Sequence, residues 1–239
     1  TPFADDVWEL YHEDEDFSQA RDLAAEQPDK LAEMQQRFNR EAERLGILPL
    51  RSSLDSRTPM PNLVANRTRF SYPGGAIGIP ESAAPPIHNR SWSLQAELNI
   101  SPARPGARGV IATMGGTAGG WSLYLDSEGR PVFEYRVFEY GHIRIAGKQA
   151  LSAGQHTLRL DFDYDGGGYA KGGKFSLRLA DSMLGQAAVR ATPPAFFSID
   201  ETLDVGRDTG SPAGQYPQDV QPGYPFDGGV IERVDMELR

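Results

Sequence analysis

Three aspartates at alternate positions, Asp161, Asp163 and Asp165, lead into Gly166 in the sequence DFDYDG. This D-x-D-x-D-G spacing opens the calcium-binding loop of helix–loop–helix proteins, in which carboxylate oxygens coordinate the ion. The twelfth position of such a loop requires a bidentate Glu, and Gly172 stands there instead. The alternation therefore predicts a strand that runs into a glycine-rich hairpin.

A second group of carboxylates lies in a predicted loop near residue 200. It contains Asp200, Asp204 and Asp208, with Glu201 beside the first of them. Carboxylate oxygens suit calcium, so Asp200, Asp204 and Asp208 are the predicted metal ligands, on the rim of a sandwich. The alternative is that they are solvated surface groups, as is usual for acidic loops of an acidic protein.

Two glutamates could act as the carboxylate pair of a glycosidase. Glu134 and Glu139 flank the aromatic run in PVFEYRVFEY. Because they are five positions apart, they lie on opposite faces of a regular strand. An independent glycosidase is therefore the least favoured hypothesis.

Aromatic side chains in loops or at outward strand positions could stack on sugar rings. The predicted carbohydrate-binding residues are Tyr135, Tyr140 and Arg136, which share one aromatic run. The alternative for each tyrosine is packing in the core or across strands. The candidate tyrosines for such a groove are Tyr124, Tyr135, Tyr140, Tyr169, Tyr216 and Tyr224.

Composition excludes several other chemistries. The chain has no Cys, which excludes disulfides, thiolate nucleophiles and Cys-ligated zinc. Its net charge of −9 disfavours binding to nucleic acid. No apolar run approaches the ~18 residues that a membrane span needs. The lack of Cys slightly favours the bacterial cytoplasm and leaves the periplasm open.

The elements that position these residues are predicted to be strands. The 239 residues include 26 Gly and 18 Pro, a content typical of many short strands joined by turns. Alternating apolar residues indicate antiparallel strands with one face in water. Residues 62–239 are therefore predicted to form a mainly β, two-sheet antiparallel jelly-roll sandwich. The alternating runs are WSLQAELNI (92–100), WSLYLD (121–126), PVFEYRVFEY (131–140), HTLRLDFDYD (156–165), KFSLRLA (174–180) and VIERVDMELR (230–239).

The first fifty residues have a different pattern. The run VWELYH predicts a short strand over 7–12, and residues 28–45 predict an amphipathic helix that Gly46 ends. These two elements cannot bury the helix stripe alone, so it is expected to pack on another part of a larger protein or on the domain that follows. The residues of the stripe are Leu31, Met34, Phe38, Ala42 and Leu45.

Residues 8–50, WELYHEDEDFSQARDLAAEQPDKLAEMQQRFNREAERLGILPL, resemble the C-terminal end of bacterial arylsulfatases. The stretches RFSYPGGAIGIPESAAPPIHNRSWSLQAEL, HTLRLDFDYDGGGYAKGG and FFSIDETLDVGRDTGSP are similar to the concanavalin-like, laminin-G-like jelly roll that follows this helix in a long subgroup of that family. On this resemblance, residues 1–50 are the terminal strand and helix of a truncated sulfatase domain. Residues 51–61 are then a linker, and 62–239 an accessory sandwich.

The resemblance also implies where the chemistry lies. Sulfatases use a calcium ion and a formylglycine nucleophile, made from the first residue of a Cys-or-Ser-x-Pro-x-Arg motif. The sequence has no such motif, because Ser101-Pro102-Ala103-Arg104 has the wrong spacing. The catalytic machinery is therefore expected upstream of Thr1, and this chain is expected to be inactive alone.

Two functions remain open. The leading hypothesis is a structural or assembly role in an arylsulfatase, a sulfuric ester hydrolase, through contact with its catalytic domain or a neighbouring subunit. It predicts that an apolar patch of Trp8, Leu31, Met34 and Phe38 is exposed or paired with the same patch of a symmetry-related copy. The alternative is a lectin-like module that brings the enzyme to sulfated glycans. It predicts a concave sheet face or rim with two or more exposed aromatics and an accompanying Arg, such as Arg136 or Arg144.

Overall fold

The computed structural model of the protein describes residues 5–50, 63–104, 106–139, 141–217 and 221–239. The chain divides into two compact units, Thr1–Pro61 and Asn62–Arg239. Within the described ranges, the first unit contains the α-helix and the second contains all of the strands. No helix in these ranges is long and apolar enough to cross a membrane.

The predicted helix is confirmed as α1, Pro28–Arg44. Pro28 occupies the first turn, where a missing backbone N–H costs nothing. The helix ends as predicted because Gly46 adopts a left-handed conformation, with φ of 68°. The Ile47 N–H then bonds back to the Ala42 carbonyl at 2.8 Å.

The strand predicted in VWELYH is not formed, because residues 5–50 contain no strand. A strand needs a neighbouring strand as its hydrogen-bond partner, and the backbone groups of Leu10 bond to residues of a turn instead. Its N–H donates to Asp22 Oδ1 at 2.9 Å, and its carbonyl accepts from the Leu23 N–H at 2.7 Å. The Trp8 ring packs edge-on against Phe38 of α1, with 5.4 Å between ring centroids.

The described residues of the second unit form two six-stranded antiparallel sheets. The first sheet has the order β1-β12-β3-β8-β9-β10 and the second β2-β11-β4-β5-β6-β7, which together form the predicted jelly-roll sandwich. The strands are β1 Arg69–Tyr72, β2 Ile79–Pro80, β3 Trp92–Ile100, β4 Gly109–Gly115, β5 Gly119–Leu125, β6 Pro131–Val137, β7 Gly141–Ala146, β8 Gly154–Tyr164, β9 Gly173–Leu179, β10 Ser182–Val189, β11 Thr202–Val205 and β12 Gly229–Leu238.

The core lies between the inner faces of the two sheets, where the predicted apolar positions meet. Trp92 of the first sheet approaches Trp121 of the second at 5.8 Å between ring centroids. Phe162 and Phe175 stack at 4.3 Å, and Phe133 packs on Phe175 at 4.9 Å. These rings are large and buried, so they contribute strongly to the apolar core between the sheets.

All six predicted strands are present, but the prediction of one wet face is right only for the first sheet. In the second sheet, β4 and β5 are buried along their whole length. This explains why β4, GVIATMG, shows no alternation and was not predicted. A loop of the same unit covers its outer face.

Candidate functional site

A long loop covers the outer face of the second sheet. We call residues 206–217 and 221–226 the covering segment. Its Tyr216 and Tyr224 rings stack at 5.4 Å, and Tyr216 meets the edge of Tyr124 of β5 at 5.3 Å. These three candidates for a sugar groove are therefore packing residues beneath or within this segment.

Glu134 anchors the covering segment and is fully buried. Its carboxylate accepts from the Tyr124 hydroxyl at 2.6 Å and from the Gln215 N–H at 3.1 Å. His142 Nε2 and Arg144 Nε also lie at 3.1 and 3.4 Å from this carboxylate. Burial, with the Glu134 charge, raises the pKa of Tyr124. Glu139 lies on the exposed turn after β6, so the two glutamates do not face each other across a cleft.

Two of the three predicted metal ligands are occupied by hydrogen bonds. Asp204 is buried and accepts from Gly78 N at 2.6 Å and from the Thr209 N–H and hydroxyl at 3.1 and 2.7 Å. Asp208 is also buried and accepts from the Tyr216 hydroxyl and another backbone N–H. Asp200 is exposed and bonds Ser198. In the ranges that the structure describes, no group of three acidic or His side chains could hold a metal ion.

The aspartates of DFDYDG form the predicted strand and hairpin. Asp161 and Asp163 lie in β8, and both contact Arg239. The Asp165 N–H donates to the Gly172 carbonyl at 3.1 Å, which closes the hairpin between β8 and β9. These residues therefore belong to a strand and its hairpin, as the spacing predicts.

The structure separates the three predicted carbohydrate-binding residues. Tyr135 points into the core with 3% of its surface exposed, and its ring packs on Phe175 at 4.8 Å. Tyr135 points inward because it lies on the same face of its strand as Phe133 and Val137. The prediction that Tyr135 is a carbohydrate-binding residue is corrected here, because the side chain belongs to the core. Arg136 is half-buried, with Nη1 bonded to the Thr117 carbonyl. Tyr140 lies outside the described residues.

Exposed aromatic side chains do occur, and they cluster at one end of the sandwich. In the described part of the second unit, the exposed Phe, Tyr and Trp side chains are Phe138, Tyr169 and Phe196, at 45%, 78% and 51% exposure. They lie in the β6–β7 turn, the β8–β9 hairpin and the loop between β10 and β11. We call these three loops, together with the β4–β5 turn, the aromatic end.

Asn89 ties the Tyr169 hairpin to the Phe196 loop. Its Oδ1 accepts from the Ala170 N–H at 2.8 Å, and its Nδ2 donates to the Pro194 carbonyl. A second link runs from the Thr192 hydroxyl to the Lys171 carbonyl at 2.9 Å. The two loops are therefore joined by hydrogen bonds that do not involve the aromatic rings.

Glu81 fixes the other side of the Phe196 loop. Its carboxylate accepts from the N–H groups of Phe197 and Ser198 at 3.0 and 3.2 Å. His88 Nε2 lies 2.6 Å from the same carboxylate, and the His88 ring packs on Phe197 at 5.0 Å. With Phe197 buried and its N–H held, the neighbouring Phe196 is held outward.

Phe138 is presented in an unfavourable backbone conformation. Its φ is 44°, in the left-handed region that costs a non-glycine residue roughly 1–2 kcal/mol. A Cβ at Gly119 would lie 3.8 Å from the Phe138 ring and 3.6 Å from the Phe197 carbonyl, so the two loops flank this glycine. Such a conformation persists only where the surrounding structure fixes it.

The outer face of the first sheet is open but lacks these rings. A depression of about 350 Å³ lies there between β1, β12, β3 and β8. It is bordered by the ion pairs Arg69–Glu237 at 3.0 Å and Arg159–Asp161 at 2.9 Å. Its charges are thus paired with one another, and among the described residues it has no exposed aromatic side chain.

Sequence reasoning missed Phe196 and treated Phe138 as part of a strand. A signal for Phe196 was available in PPAFFS, where two Phe follow two Pro outside any alternating run. Phe138 follows Val137, the last residue of β6, so the aromatic run continues past the end of its strand.

No protein-family model matches the sequence, and no curated protein matches it. Solved structures do match. The CBM40 of the Ruminococcus gnavus IT-sialidase, solved with α2,3-sialyllactose, is 17% identical with a TM-score of 0.45, over 72% of this chain and 90% of that chain. Domains LG4–5 of the mouse laminin α1 chain are 12% identical with a TM-score of 0.40, over 74% and 40%. A SAP-like pentraxin from Limulus polyphemus is 12% identical with a TM-score of 0.35, over 72% and 74%. At these identities the similarity concerns the fold and transfers no ligand or residue role.

Proposed function

We propose that the second unit is a carbohydrate-binding module whose ligand binds at the aromatic end. One observation carries the proposal: Phe138, Tyr169 and Phe196, the exposed aromatic side chains of its described residues, lie in loops of the same end. Exposed aromatic rings are costly to keep in water and mark binding surfaces when they cluster.

A sugar fits such a surface chemically. One side of a pyranose ring presents C–H groups that can cover an aromatic face and remove its apolar area from water. The hydroxyls around the ring edge need polar partners beside it. Arg136, half-buried in the strand that leads to Phe138, supplies such groups through the guanidinium N–H groups other than the one bonded to the Thr117 carbonyl.

The loops are also pre-organised. Asn89 and Glu81 hold the Tyr169 hairpin and the Phe196 loop through side-chain-to-backbone hydrogen bonds. A surface that is already ordered loses less conformational entropy when a ligand binds, which favours affinity. This supports recognition by fixed loops.

The test is titration of the full chain with a panel of oligosaccharides, comparing the wild type with Phe138→Ala, Tyr169→Ala and Phe196→Ala. We expect each variant to bind at least about fivefold more weakly, as for an interface residue that contributes over 1 kcal/mol. Phe17→Ala is the matched control, because Phe17 is an exposed ring in the first unit. A wild type that binds no oligosaccharide, or three variants that bind like the control, would contradict the proposal.

The arylsulfatase-associated assembly role is a second candidate, and the first unit supplies the observation that favours it. Of the four residues of the predicted apolar patch, Trp8, Met34 and Phe38 are exposed and Leu31 is half-buried. The test is to mix the chain with a bacterial arylsulfatase catalytic domain that lacks its own C-terminal region. A 1:1 complex that Trp8→Ala and Phe38→Ala abolish would support this role, and no complex would contradict it.

A further inference from the structure

Three cationic side chains flank the hairpin that carries Tyr169. Arg90, Lys171 and Arg190 are exposed, and none of them forms an ion pair with any residue that the structure describes. Elsewhere in the second unit some arginines contact carboxylates, and others, such as Arg108 and Arg207, also have no ion pair among the described residues. The three cations at the hairpin are therefore distinguished by lying together. The arginines that contact carboxylates are Arg69, Arg104, Arg130, Arg144, Arg159, Arg233 and Arg239.

The three cations converge on one hairpin through their backbones. Arg90 follows Asn89, whose side chain bonds the Ala170 N–H at 2.8 Å. Lys171 follows Ala170, and its carbonyl accepts from Thr192 at 2.9 Å. A Cβ at Gly172 would lie 3.1 Å from the Arg190 carbonyl carbon. We call Arg90, Lys171 and Arg190 the basic cluster.

The acidic groups nearby do not neutralise the cluster. The other charged residues of the hairpin and its strand ends are Asp163, Asp165 and Lys174. Asp163 already pairs with Arg239 at 3.3 Å. Asp165 is close to the cluster, since its Oδ2 would lie 3.0 Å from a Cβ at Gly172, and it offsets one positive charge. With Lys174 counted, the local charge is still positive on a chain whose net charge is −9. A positive region on a negatively charged protein attracts an anionic ligand and repels a cationic one.

We infer that the ligand of the aromatic end is an anionic saccharide, whose sulfate or carboxylate group binds to the basic cluster beside the ring of Tyr169. The inference rests on the proposed function and names the chemical class of its ligand. Guanidinium groups bind tetrahedral sulfate and planar carboxylate through paired N–H donors, and the ammonium of Lys171 adds a point charge. The exposed Tyr169 ring supplies the apolar surface for the sugar that carries the anion.

The experiment compares three oligosaccharides of equal length: one sulfated, one with unsulfated uronic acids and one neutral. Each is titrated into the wild type and into the triple variant Arg90→Gln/Lys171→Gln/Arg190→Gln. The matched control is Arg108→Gln/Lys148→Gln/Arg207→Gln, which changes the net charge by the same amount at exposed positions outside the aromatic end. Thermal unfolding of both variants checks that they fold.

We expect an anionic oligosaccharide to bind the wild type at least about tenfold more tightly than the neutral one, which corresponds to roughly 1.4 kcal/mol. The basic-cluster variant should lose this preference and the control should keep it. Raising the salt from 0.05 to 0.5 M should reduce the preference, because exposed charges are screened. Preference for the sulfated or the uronic acid ligand identifies the anion.

Two other results have different meanings. Equal binding of neutral and anionic oligosaccharides would overturn the anionic inference and leave the proposed function standing. Loss of the preference in the control as well as in the basic-cluster variant would also overturn it, since net charge would then explain the effect. No binding of any oligosaccharide would overturn the proposed function itself.

Discussion

The two ends of the sandwich contain turns of opposite character. At the end away from the aromatic end, Asp126 accepts from the N–H groups of Glu128 and Arg130 at 3.0 and 2.9 Å and also pairs with the Arg130 guanidinium at 2.8 Å. Arg104 pairs with Asp227 at 2.6 Å in the neighbouring turn. Among the described residues, this end has no exposed Phe, Tyr or Trp.

At the aromatic end, hydrogen bonds serve a different purpose. Glu81 and Asn89 bond loop backbone, while the rings of Phe138, Tyr169 and Phe196 stay in water. Polar side chains therefore close short turns at the end that contains Asp126. At the aromatic end, polar side chains hold the loops that carry exposed apolar side chains. The contrast makes the opposite end an internal control for every substitution at the aromatic end.

The largest expected effect concerns the carboxylates that brace each end. Glu81→Ala should lower the free energy of unfolding by about 3 kcal/mol, because it leaves two backbone N–H groups and His88 without their partner. It should also weaken oligosaccharide binding, since Phe196 loses its support. Chemical denaturation and titration measure the two effects.

Asp126→Ala is the matched substitution at the other end. It should lower the free energy of unfolding by about 2 kcal/mol, because it removes acceptors for two N–H groups and Arg130. Oligosaccharide affinity should stay at the wild-type value. If Asp126→Ala weakened binding as much as Glu81→Ala, the distinction between the ends would fail.

The next effect concerns the link between the two aromatic loops. Asn89→Ala should cost about 1–2 kcal/mol, because it removes the bonds to Ala170 and Pro194 and places Ala at a φ of 58°. Asn89→Gly should recover only the part of the lost stability that comes from the unfavourable backbone conformation. Both variants should bind oligosaccharide more weakly than the wild type. Unchanged affinity in both would show that the bracing is irrelevant to the ligand.

A smaller effect should have opposite signs for stability and binding. Phe138→Gly relieves a residue at φ 44° and should raise the free energy of unfolding by about 1 kcal/mol while it weakens binding. Ala180→Gly relieves a similar φ of 47° in the β9–β10 turn at the opposite end. It should stabilise the protein with no change in affinity. Phe138→Gly that binds normally would remove Phe138 from the site.

We expect the stability of the protein to depend on pH through the covering segment and not through either end of the sandwich. Burial raises the pKa of Asp208 above its usual value. The proton is therefore held more tightly in the folded state, so the contribution of Asp208 to stability is greatest at low pH and is lost as the pH rises through the raised pKa. The stability of the wild type relative to Asp208→Asn should decrease between pH 4 and pH 8. A constant difference would contradict this, and binding at pH 7 should be the same for both.

Much of the sandwich could be predicted because one face of the first sheet meets water. The alternation of Leu158, Leu160 and Phe162 with Arg159 and Asp161 shows a two-sided strand directly in the sequence. Part of the second sheet could not be predicted from the sequence. Both faces of β4 are buried, so its sequence shows no alternation, and the covering segment has no period that would indicate a cover.

The candidate site was harder to predict because burial depends on the covering segment and on loop contacts. Asp204 and Asp208 look like Asp200 in the sequence, yet two are buried anchors and one is exposed. Tyr169 and Tyr216 both lie outside the alternating runs, but only Tyr169 is exposed in this structure. The basic cluster joins residues 90, 171 and 190, which only the folded hairpin brings together.

The most direct test of the central claim is to map an anionic oligosaccharide onto the 26.2 kDa chain by backbone amide chemical shifts. Binding at the aromatic end predicts that the shifts cluster in residues 89–90, 116–118, 136–139, 165–172 and 190–200. The turns at 126–130 and 147–153 should not change. Shifts confined to those two turns, or to the open face of the first sheet around Arg159 and Asp235, would contradict the claim that the exposed aromatic loops form the binding site.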